Sequence, residues 1–391
     1  MKKATRQQTK DHNSRLVLRT IYHSGEISRA DIARTTHLTP PTVSSIVAEL
    51  IDSRFVVETG QGPSAGGKPP TLLNIAHDAH QLLCLDLGSQ TFRGALVNLR
   101  GEIVGRSGIS LVRHRQGDAL QLVYDLVEVL TDAATAPLLG IAIGTPGLID
   151  PEQGIVRRAV NLGWAELPLR QLLEERYEKP VYVANDSHMA ALAEYTFGDS
   201  RESNNLIVVK VGQGIGAGIV LDGHIYYGDG LGAGEIGHLV VAENGEPCSC
   251  GNMGCLETTT STRAILRRAT TILRAQGAAP AGEEPEISWE AVVHGFEGGN
   301  GAIHEMIVAA GKHLGVALAS LVAGLNIQRV VVAGRVSQFG EALLDAAHKE
   351  MTRRVLPTLA AKTDIRYATL GSDIVLLGCS AMLLKHELQV I

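Results

Sequence analysis

The sequence predicts an α/β protein in which a winged helix-turn-helix head, residues 1–75, precedes a two-lobed α/β body, residues 76–195 and 196–391. Helix-capping signals and two short strand patterns fill the first 75 residues. From residue 81 onwards, buried apolar strands alternate with amphipathic helices. Each half of the body also opens with the same order of strand, glycine-rich turn, strand, turn and strand, which indicates a weak internal duplication.

Length and composition are those of a globular protein of two or three domains. Of 391 residues, 45% are hydrophobic and 19% are charged, which excludes a wholly disordered, collagen-like or disulfide-scaffold chain. The sequence contains no 18-residue uncharged apolar run, and it does not start with the apolar stretch of a secretory signal. Its five cysteines, three of them within eight positions, suit a reducing compartment. We therefore expect a cytoplasmic protein without a membrane partner.

Charge is divided unevenly along the chain. Residues 1–75 carry 10 Lys and Arg against 6 Asp and Glu, a net charge of +4, whereas the whole chain has a net charge of −6. A small basic head on an acidic body indicates that the head meets an anion, and nucleic acid is the obvious candidate. The alternative is a chance asymmetry in a short segment.

Three helices are predicted in the head. The first spans about residues 13–23, and the second spans residues 28–36, starting at an S-x-x-D capping box formed by Ser28 and Asp31. The third spans residues 39–53, with a threonine N-cap and a proline at the first helical position. This order of capping box, short turn and proline-started helix is typical of a helix-turn-helix.

A predicted β-hairpin follows the third helix. Its strands are Phe55–Glu58 and Thr71–Ile75, and the glycine- and proline-rich stretch between them makes a wing. Small hydroxylated side chains at a helix start can reach base edges or phosphates. The residues expected to contact operator DNA, including a lysine at the wing tip, are Thr39, Pro41, Thr42, Ser44, Ser45 and Lys68. A homodimer on paired half-sites is the expected geometry, and a three-helix subdomain without a DNA partner is the alternative.

A metal site is predicted in the second lobe. His238, Cys248, Cys250 and Cys255 follow the spacing H-x9-C-x-C-x4-C, with glycines and a proline between them to bend the chain. Three thiolates and one imidazole make a closed tetrahedral set that suits structural zinc, and chance clustering or a redox pair is the alternative. Cys84 and Cys379 lie in apolar runs and are expected to be inert core residues.

The segments around this cluster resemble the signature of the ROK family of repressors, open reading frames and kinases. The resemblance rests on Gly237-His238 and Cys248–Glu257, and it extends to the motifs at 86–88, 144–147, 185–186 and 212–218. It implies an actin-like, sugar-kinase-type body. With a DNA-binding head, it implies a bacterial regulator that responds to a sugar such as glucose, N-acetylglucosamine or xylose.

The resemblance also implies a sugar site. Its residues would be Asn161, Asn185, Asp186, Glu235, His238 and Glu257. Carboxylates and amides suit sugar hydroxyls, and His238 would bind zinc through one ring nitrogen while the other faces the sugar. Each acidic residue taken alone would be read as a solvated surface group.

The same resemblance leaves a choice between kinase and regulator. Asp186 would be the general base of a kinase. The first phosphate loop, residues 86–91, reads D-L-G-S-Q-T where kinases have D-x-G-G-T-K. In addition, Gln213 stands where threonine is usual in the second loop, and Arg335 would crowd the nucleotide. We therefore expect a DNA-binding transcriptional regulator without enzyme activity, most simply a repressor of carbohydrate metabolism whose sugar effector modulates operator binding. The alternatives are an active ATP-dependent sugar kinase with a DNA-binding head, and a constitutive DNA-binding protein.

Overall fold

The protein is described by a computed structural model over residues 5–63, 69–88, 90–111, 118–200, 203–277 and 287–391. The chain forms two compact units, one of residues 1–184 with 379–391 and one of residues 185–378. This division differs from the expected boundary between residues 195 and 196, because the helix that follows residue 185 packs in the second unit. The C-terminal segment returns to the first unit, where Sγ of Cys379 lies 3.4 Å from the carbonyl oxygen of Leu85.

The predicted winged helix-turn-helix head is confirmed. Its elements are α1 (Arg6–Ser24), β1 (Ile27–Ser28), α2 (Arg29–Thr36), α3 (Pro40–Asp52), β2 (Val56–Gln61) and β3 (Thr71–Ile75). The three strands form an antiparallel sheet in the order β1-β3-β2. Helix α1 begins seven residues before the expected Asn13 because Thr5 and Gln8 form a capping box that the apolar periodicity does not reveal. Ser28 and Thr39 cap α2 and α3 as predicted.

The first lobe of the body is built on a five-stranded sheet. Its elements are β4 (Gln81–Leu87), β5 (Thr91–Asn98), β6 (Ile103–Ser110), α4 (Ala119–Ala133), β7 (Leu138–Thr145), β8 (Leu148–Asp150), β9 (Ile155–Ala159), β10 (Trp164–Leu167), α5 (Leu169–Tyr177) and β11 (Val181–Asn185). The main sheet has the order β11-β7-β4-β5-β6, in which β4, β5 and β6 form an antiparallel meander and β7 runs parallel to β4. Strands β8–β10 make a separate small sheet.

The second unit contains a sheet of the same design. Its elements are α6 (Asp186–Phe197), β12 (Leu206–Val211), β13 (Ile215–Leu221), β14 (His224–Ile225), α7 (Leu256–Thr260), α8 (Thr262–Ala275), α9 (Trp289–Glu297), α10 (Gly301–Leu325), β15 (Arg329–Ala333), α11 (Gly340–Arg354), α12 (Pro357–Ala360), β16 (Asp364–Tyr367) and α13 (Ile374–Leu383), the last of which continues into the first unit. The strand order is β14-β13-β12-β15-β16, again an antiparallel meander followed by parallel strands. The predicted internal duplication therefore holds at the level of topology.

Among the described helices, α10 alone is long and apolar enough to cross a membrane by length and composition. Its most apolar window is 56% buried inside the protein. Its buried residues, among them Leu314 and Leu318, belong to the hydrophobic core of the second unit. The helix therefore acts here as a core helix.

The head is fixed to the first lobe by contacts around the turn between β5 and β6. The Arg100 guanidinium donates to the carbonyl oxygen of Tyr22 at 2.6 Å and to Oδ1 of Asn74 at 2.8 Å. The same guanidinium lies 4.8 Å from the centre of the Tyr22 ring. Phe55 of the head and His80 at the start of the lobe stack with ring centres 4.4 Å apart. Head and first lobe are therefore joined by specific side-chain contacts as well as by the chain.

Candidate functional site

The start of α3 presents the predicted DNA-contacting side chains on the surface of the head. Thr39, Pro41, Ser44 and Ser45 are exposed and Thr42 is half-buried. The Oγ1 atoms of Thr39 and Thr42 lie 2.8 Å apart, and the Thr39 side chain also accepts from the backbone N–H of Thr42. The Thr39 hydroxyl caps the helix and contacts that of Thr42, whereas Ser44 and Ser45 make no side-chain hydrogen bond within the described residues.

Sequence reasoning missed two arginines on α2. Arg29 and Arg34 line a concave surface of about 530 Å³ together with residues of α3 such as Ser44. Nη2 of Arg29 lies 2.9 Å from Oε1 of Glu58, and Arg34 pairs with an acidic residue of its own helix. Guanidinium groups beside a helix start are suited to phosphate oxygens. Lys68, the expected contact at the wing tip, lies outside the described residues.

In the second unit, the fold brings the four predicted metal ligands together. The ligand atoms of His238, Cys248, Cys250 and Cys255 all lie within 4.8 Å of one another. Sγ of Cys248 is 3.5 Å from Nδ1 of His238, and Sγ of Cys250 is 3.7 Å from Sγ of Cys255. With metal–sulfur bonds of about 2.3 Å, a tetrahedral site has sulfur atoms about 3.8 Å apart. The Cys248–His238 and Cys250–Cys255 separations are thus close to those around a bound metal, and no pair of ligand atoms in the cluster exceeds 4.8 Å.

The electrostatics of the cluster also suit a cation. Burial and, to a smaller extent, the neighbouring Cys250 and Cys248 together raise the pKa of the Cys255 thiol to about 12. The backbone N–H of Asn252, by contrast, lowers the pKa of Cys250. Three sulfurs this close repel one another as thiolates, and a divalent cation at their centre removes that repulsion.

The backbone of the cysteine loop depends on one glycine in particular. Gly254 has a φ of +70°, and a Cβ there would lie 1.7 Å from the carbonyl oxygen of Ala242. The next residue, Cys255, is the N-cap of α7. Glu257 is the second residue of that helix, so the ligand loop directly fixes the start of the segment that carries this carboxylate.

Glu257 faces the glycine-rich turn between β12 and β13. Its Oε2 accepts from the backbone N–H of Ile215 at 3.2 Å, and its Oε1 lies 3.4 Å from Nη2 of Arg263. A Cβ on Gly214 would come within 2.6 Å of Oε2, so this approach needs the glycine. The carboxylate, on a helix whose first residue follows the cysteine loop, is therefore held by Ile215 at the strand start and by Arg263.

Glu235 and His238 lie side by side on the segment that leads into the cysteine loop. Oε2 of Glu235 is 3.9 Å from Nε2 of His238, the ring nitrogen that points away from Cys248. Burial raises the pKa of Glu235; His238 lowers it, while the charges of Asp186 and Glu257 raise it. Three predicted sugar-site carboxylates are therefore close enough to interact.

Asn185 and Asp186 form the start of α6. Oδ1 of Asn185 accepts from the backbone N–H of Ser187 at 2.8 Å and caps the helix. Asp186 is the first helical residue, where the helix dipole favours a carboxylate. Its Oδ2 accepts from Nζ of Lys210 at 2.8 Å, and its Oδ1 accepts from Oγ of Ser187 at 3.3 Å.

Asn161, the remaining predicted sugar-site residue, belongs to the first unit. It is exposed on a short 3-10 turn, Val160–Leu162, between β9 and β10. The other five predicted residues all lie in the second unit: one at the end of β11, one on α6, one on α7 and two on the segment that leads into the cysteine loop, in the order Asn185, Asp186, Glu257, Glu235 and His238.

Two of the segments that the resemblance compares with the nucleotide loops of kinases contain ion pairs. Asp86 at the end of β4 pairs with Arg93 of β5. Arg335 pairs with Glu290 at 2.5 Å, and its guanidinium lies 5.3 Å from the centre of the Trp289 ring. The guanidinium of Arg335, which follows β15, is thus held against the start of α9.

A winged-helix head, a duplicated two-lobed body and a cluster of one histidine and three cysteines beside carboxylates together define a sugar-kinase-like body fused to a DNA-binding module. The ROK family model matches residues 82–386, and the chain belongs to this family. A MarR family model matches residues 13–64, which covers most of the head. The body is thus the actin-like fold that the sequence motifs imply, and the head is of the MarR type.

This chain is similar both to regulators that align over its whole length and to a kinase that aligns over part of it. The xylose repressor of Caldicellulosiruptor bescii is 34% identical, over 97% of each chain. A crystal structure described as a ROK family transcriptional regulator, homologous to the Escherichia coli MLC protein, has a TM-score of 0.82 at 30% identity and covers 98% of this chain and 97% of its own. The glucokinase of Halalkalibacterium halodurans is 32% identical, over 78% of this chain and 94% of its own. The repressor matches therefore span head and body, whereas the kinase match covers a part of this chain the size of the body.

Proposed function

We propose that this protein is a transcriptional repressor of carbohydrate genes whose ROK body binds a sugar effector and thereby changes operator affinity. The observation that carries the proposal is that a repressor, named for xylose, aligns with head and body alike at 34% identity. The carboxylates beside His238 supply the hydrogen-bond acceptors that a carbohydrate needs, and the exposed start of α3 supplies side chains for a major groove. The sugar proposed is a neutral one.

Four residues, His238, Cys248, Cys250 and Cys255, are proposed to hold a structural zinc ion. Zinc supplies no chemistry in this scheme, because four protein ligands leave no open position. Its effect is on the ligand residues: His238 is fixed with Nε2 towards Glu235, and Cys255 fixes the start of the helix that carries Glu257. Asn185 and Asp186 complete the proposed sugar site within the second unit, and Asn161 stays a predicted sugar-site residue.

The proposed response is a shift between two arrangements of the body. A sugar changes operator affinity only if it binds one arrangement more tightly than the other. A tenfold change in operator affinity corresponds to about 1.4 kcal/mol of coupling, which a few hydrogen bonds made in one arrangement can supply. We propose a homodimer with two heads on paired half-sites, acting in the compartment that holds the DNA, which in bacteria is the cytoplasm.

The test is operator binding with and without sugars. A binding sequence is first selected from random DNA with the full chain, and its affinity is then measured by fluorescence anisotropy with D-xylose, D-glucose, N-acetyl-D-glucosamine and their phosphates. Ser45→Ala should weaken operator binding and leave sugar affinity unchanged, whereas Glu235→Ala should blunt the sugar response and leave basal DNA binding intact. Operator affinity that no sugar changes would end the effector proposal, and failure to select any DNA sequence would end the repressor proposal.

The second candidate is an active sugar kinase, which is favoured by Asp186 and by the glucokinase match over 78% of the chain. Against it stand the changed loop residues, since Arg93 neutralises Asp86 and Arg335 lies where kinases have a small residue. ATP turnover on the same sugars decides the matter. Turnover that is lost in Asp186→Asn would establish the kinase.

A further inference from the structure

Lys210 is an unusual residue for its position. It lies in β12, the central strand of the second sheet, between β13 and β15. The other five residues of this strand are buried and apolar, whereas the Lys210 side chain is 24% exposed. A lysine is rarely placed in a central strand unless its ammonium group has a partner.

The ammonium of Lys210 reaches the start of α6. Nζ lies 2.8 Å from Oδ2 of Asp186, whose side chain is 14% exposed. Nζ also lies 3.6 Å from the position that a Cβ on Gly212 would take, so it lies beside the backbone of the glycine-rich turn between β12 and β13. Lys210 and Asp186 thus form a half-buried ion pair between this loop and the carboxylates of the proposed sugar site.

The carboxylates of the proposed sugar site need a hydrogen-bond donor beside them, and Lys210 can supply it. A sugar hydroxyl both donates and accepts a hydrogen bond, whereas the carboxylates of Asp186, Glu235 and Glu257 only accept when ionised. A cationic amine beside one of them supplies the complementary donor. One hydroxyl can then donate to Oδ2 of Asp186 and accept from Nζ of Lys210 in the same place.

We propose that Lys210 is a specificity-determining residue of the sugar site, and that the Lys210–Asp186 pair recognises a single hydroxyl group of a neutral sugar. The inference rests on the proposed function, and it adds Lys210 as a recognition residue and a hydroxyl group of a neutral sugar as the group recognised. The charges of Asp186 and Glu257 both act on Glu235, and the Arg263 guanidinium is directed at Glu257, so an anionic group at this site would meet more repulsion than attraction.

The experiment measures sugar binding to the full, metal-loaded chain by titration calorimetry with D-xylose, D-glucose and N-acetyl-D-glucosamine. Lys210→Met is compared with Lys349→Met, a matched control in the same unit whose side chain is 80% exposed. Loss of a hydrogen bond from a charged donor should weaken binding by about tenfold or more in Lys210→Met and by less than twofold in the control. Lys210→Arg, which keeps the charge, should lose less than Lys210→Met.

Single-deoxy analogues of the bound sugar give a readout that does not depend on a variant's stability. One deoxy analogue should bind the unaltered protein at least about tenfold more weakly than its parent, and Lys210→Met should discriminate that same pair much less. Equal loss at all positions, or unchanged affinity in a folded Lys210→Met, overturns the inference while leaving the proposed function standing. Sugar phosphates that bind tenfold more tightly than free sugars, with the preference lost in Lys210→Met, overturn the neutral-sugar assignment. A protein that binds none of the sugars overturns both proposals.

Discussion

Arg100→Ala should loosen the head from the first lobe without unfolding either part. The wild-type guanidinium makes two hydrogen bonds, to Tyr22 and Asn74, and one cation–π contact with the Tyr22 ring. At about 1 kcal/mol for each hydrogen bond and about 0.5–1 kcal/mol for the ring contact, its removal costs about 2.5–3 kcal/mol of docking free energy. The docked arrangement is then disfavoured by about 60- to 150-fold. The Phe55–His80 stack remains, so we expect a more mobile head and not a detached one.

Hydrogen exchange and operator binding measure this effect together. Backbone amides in the β5–β6 turn and at the end of α1 should exchange faster in Arg100→Ala, whereas amides of the second unit should not change. Because a loosened head moves less with any rearrangement of the body, a sugar should change operator affinity less in Arg100→Ala than in the wild type. Operator affinity without sugar should stay within a few-fold of the wild-type value. Arg100→Lys keeps the charge but not the forked geometry, and it should resemble Arg100→Ala more than the wild type. Unchanged exchange and an unchanged sugar response would refute the reasoning.

Two further predictions concern the second unit. Cys250→Ser should abolish metal binding, measured by elemental analysis, and should lower the free energy of unfolding by about 2 kcal/mol or more, a fall in melting temperature of roughly 4–8 °C. The control Cys84→Ser, a change in the core, should lower stability and keep the metal. A Cys250→Ser protein that still binds its full complement of metal would contradict the site. Glu194→Gln should raise the melting temperature more at pH 8 than at pH 5. Burial raises the pKa of Glu194 in the folded protein, so the wild type loses stability as the pH rises through that pKa and the carboxylate ionises. Glutamine cannot ionise and removes this penalty. Oε2 of Glu194 has no partner among the described atoms, although Ser200 and Arg366 oppose the shift; equal gains at both pH values would contradict this assignment.

The sequence predicted those features of the fold that repeat or carry turn chemistry. Helices α2 and α3 could be predicted because Ser28 and Thr39 are N-caps with matching residues three positions on. The duplicated sheets could be predicted because apolar runs end in glycine-rich turns in the same order twice. The start of α1 was missed because its first turns are polar and carry no apolar period. The unit boundary was missed because Gly216 and Gly218 admit α6 closely against β13, a packing that no local pattern reveals.

The metal cluster could be predicted because its four ligands lie within 18 residues, so spacing alone limits their separation. Lys210 and Arg100 gave no such signal, since each is a single charge on a strand or turn whose partner lies at least 24 residues away. Cys84 and Cys379, in contrast, are fully buried as expected, because apolar neighbours in sequence predict burial well.

The placement of Lys210 bears on why a kinase-like body can serve as a sensor. A kinase needs its carboxylate to receive a proton from the attacking hydroxyl and needs its glycine-rich loops open to phosphate. In this chain Lys210 lies at both places, because its ammonium pairs with Asp186 and lies beside Gly212. On the proposed function, the ammonium beside Asp186 gives one sugar hydroxyl a donor and an acceptor in the same place. Changing Lys210 should therefore weaken sugar binding more than it weakens operator binding in the absence of sugar.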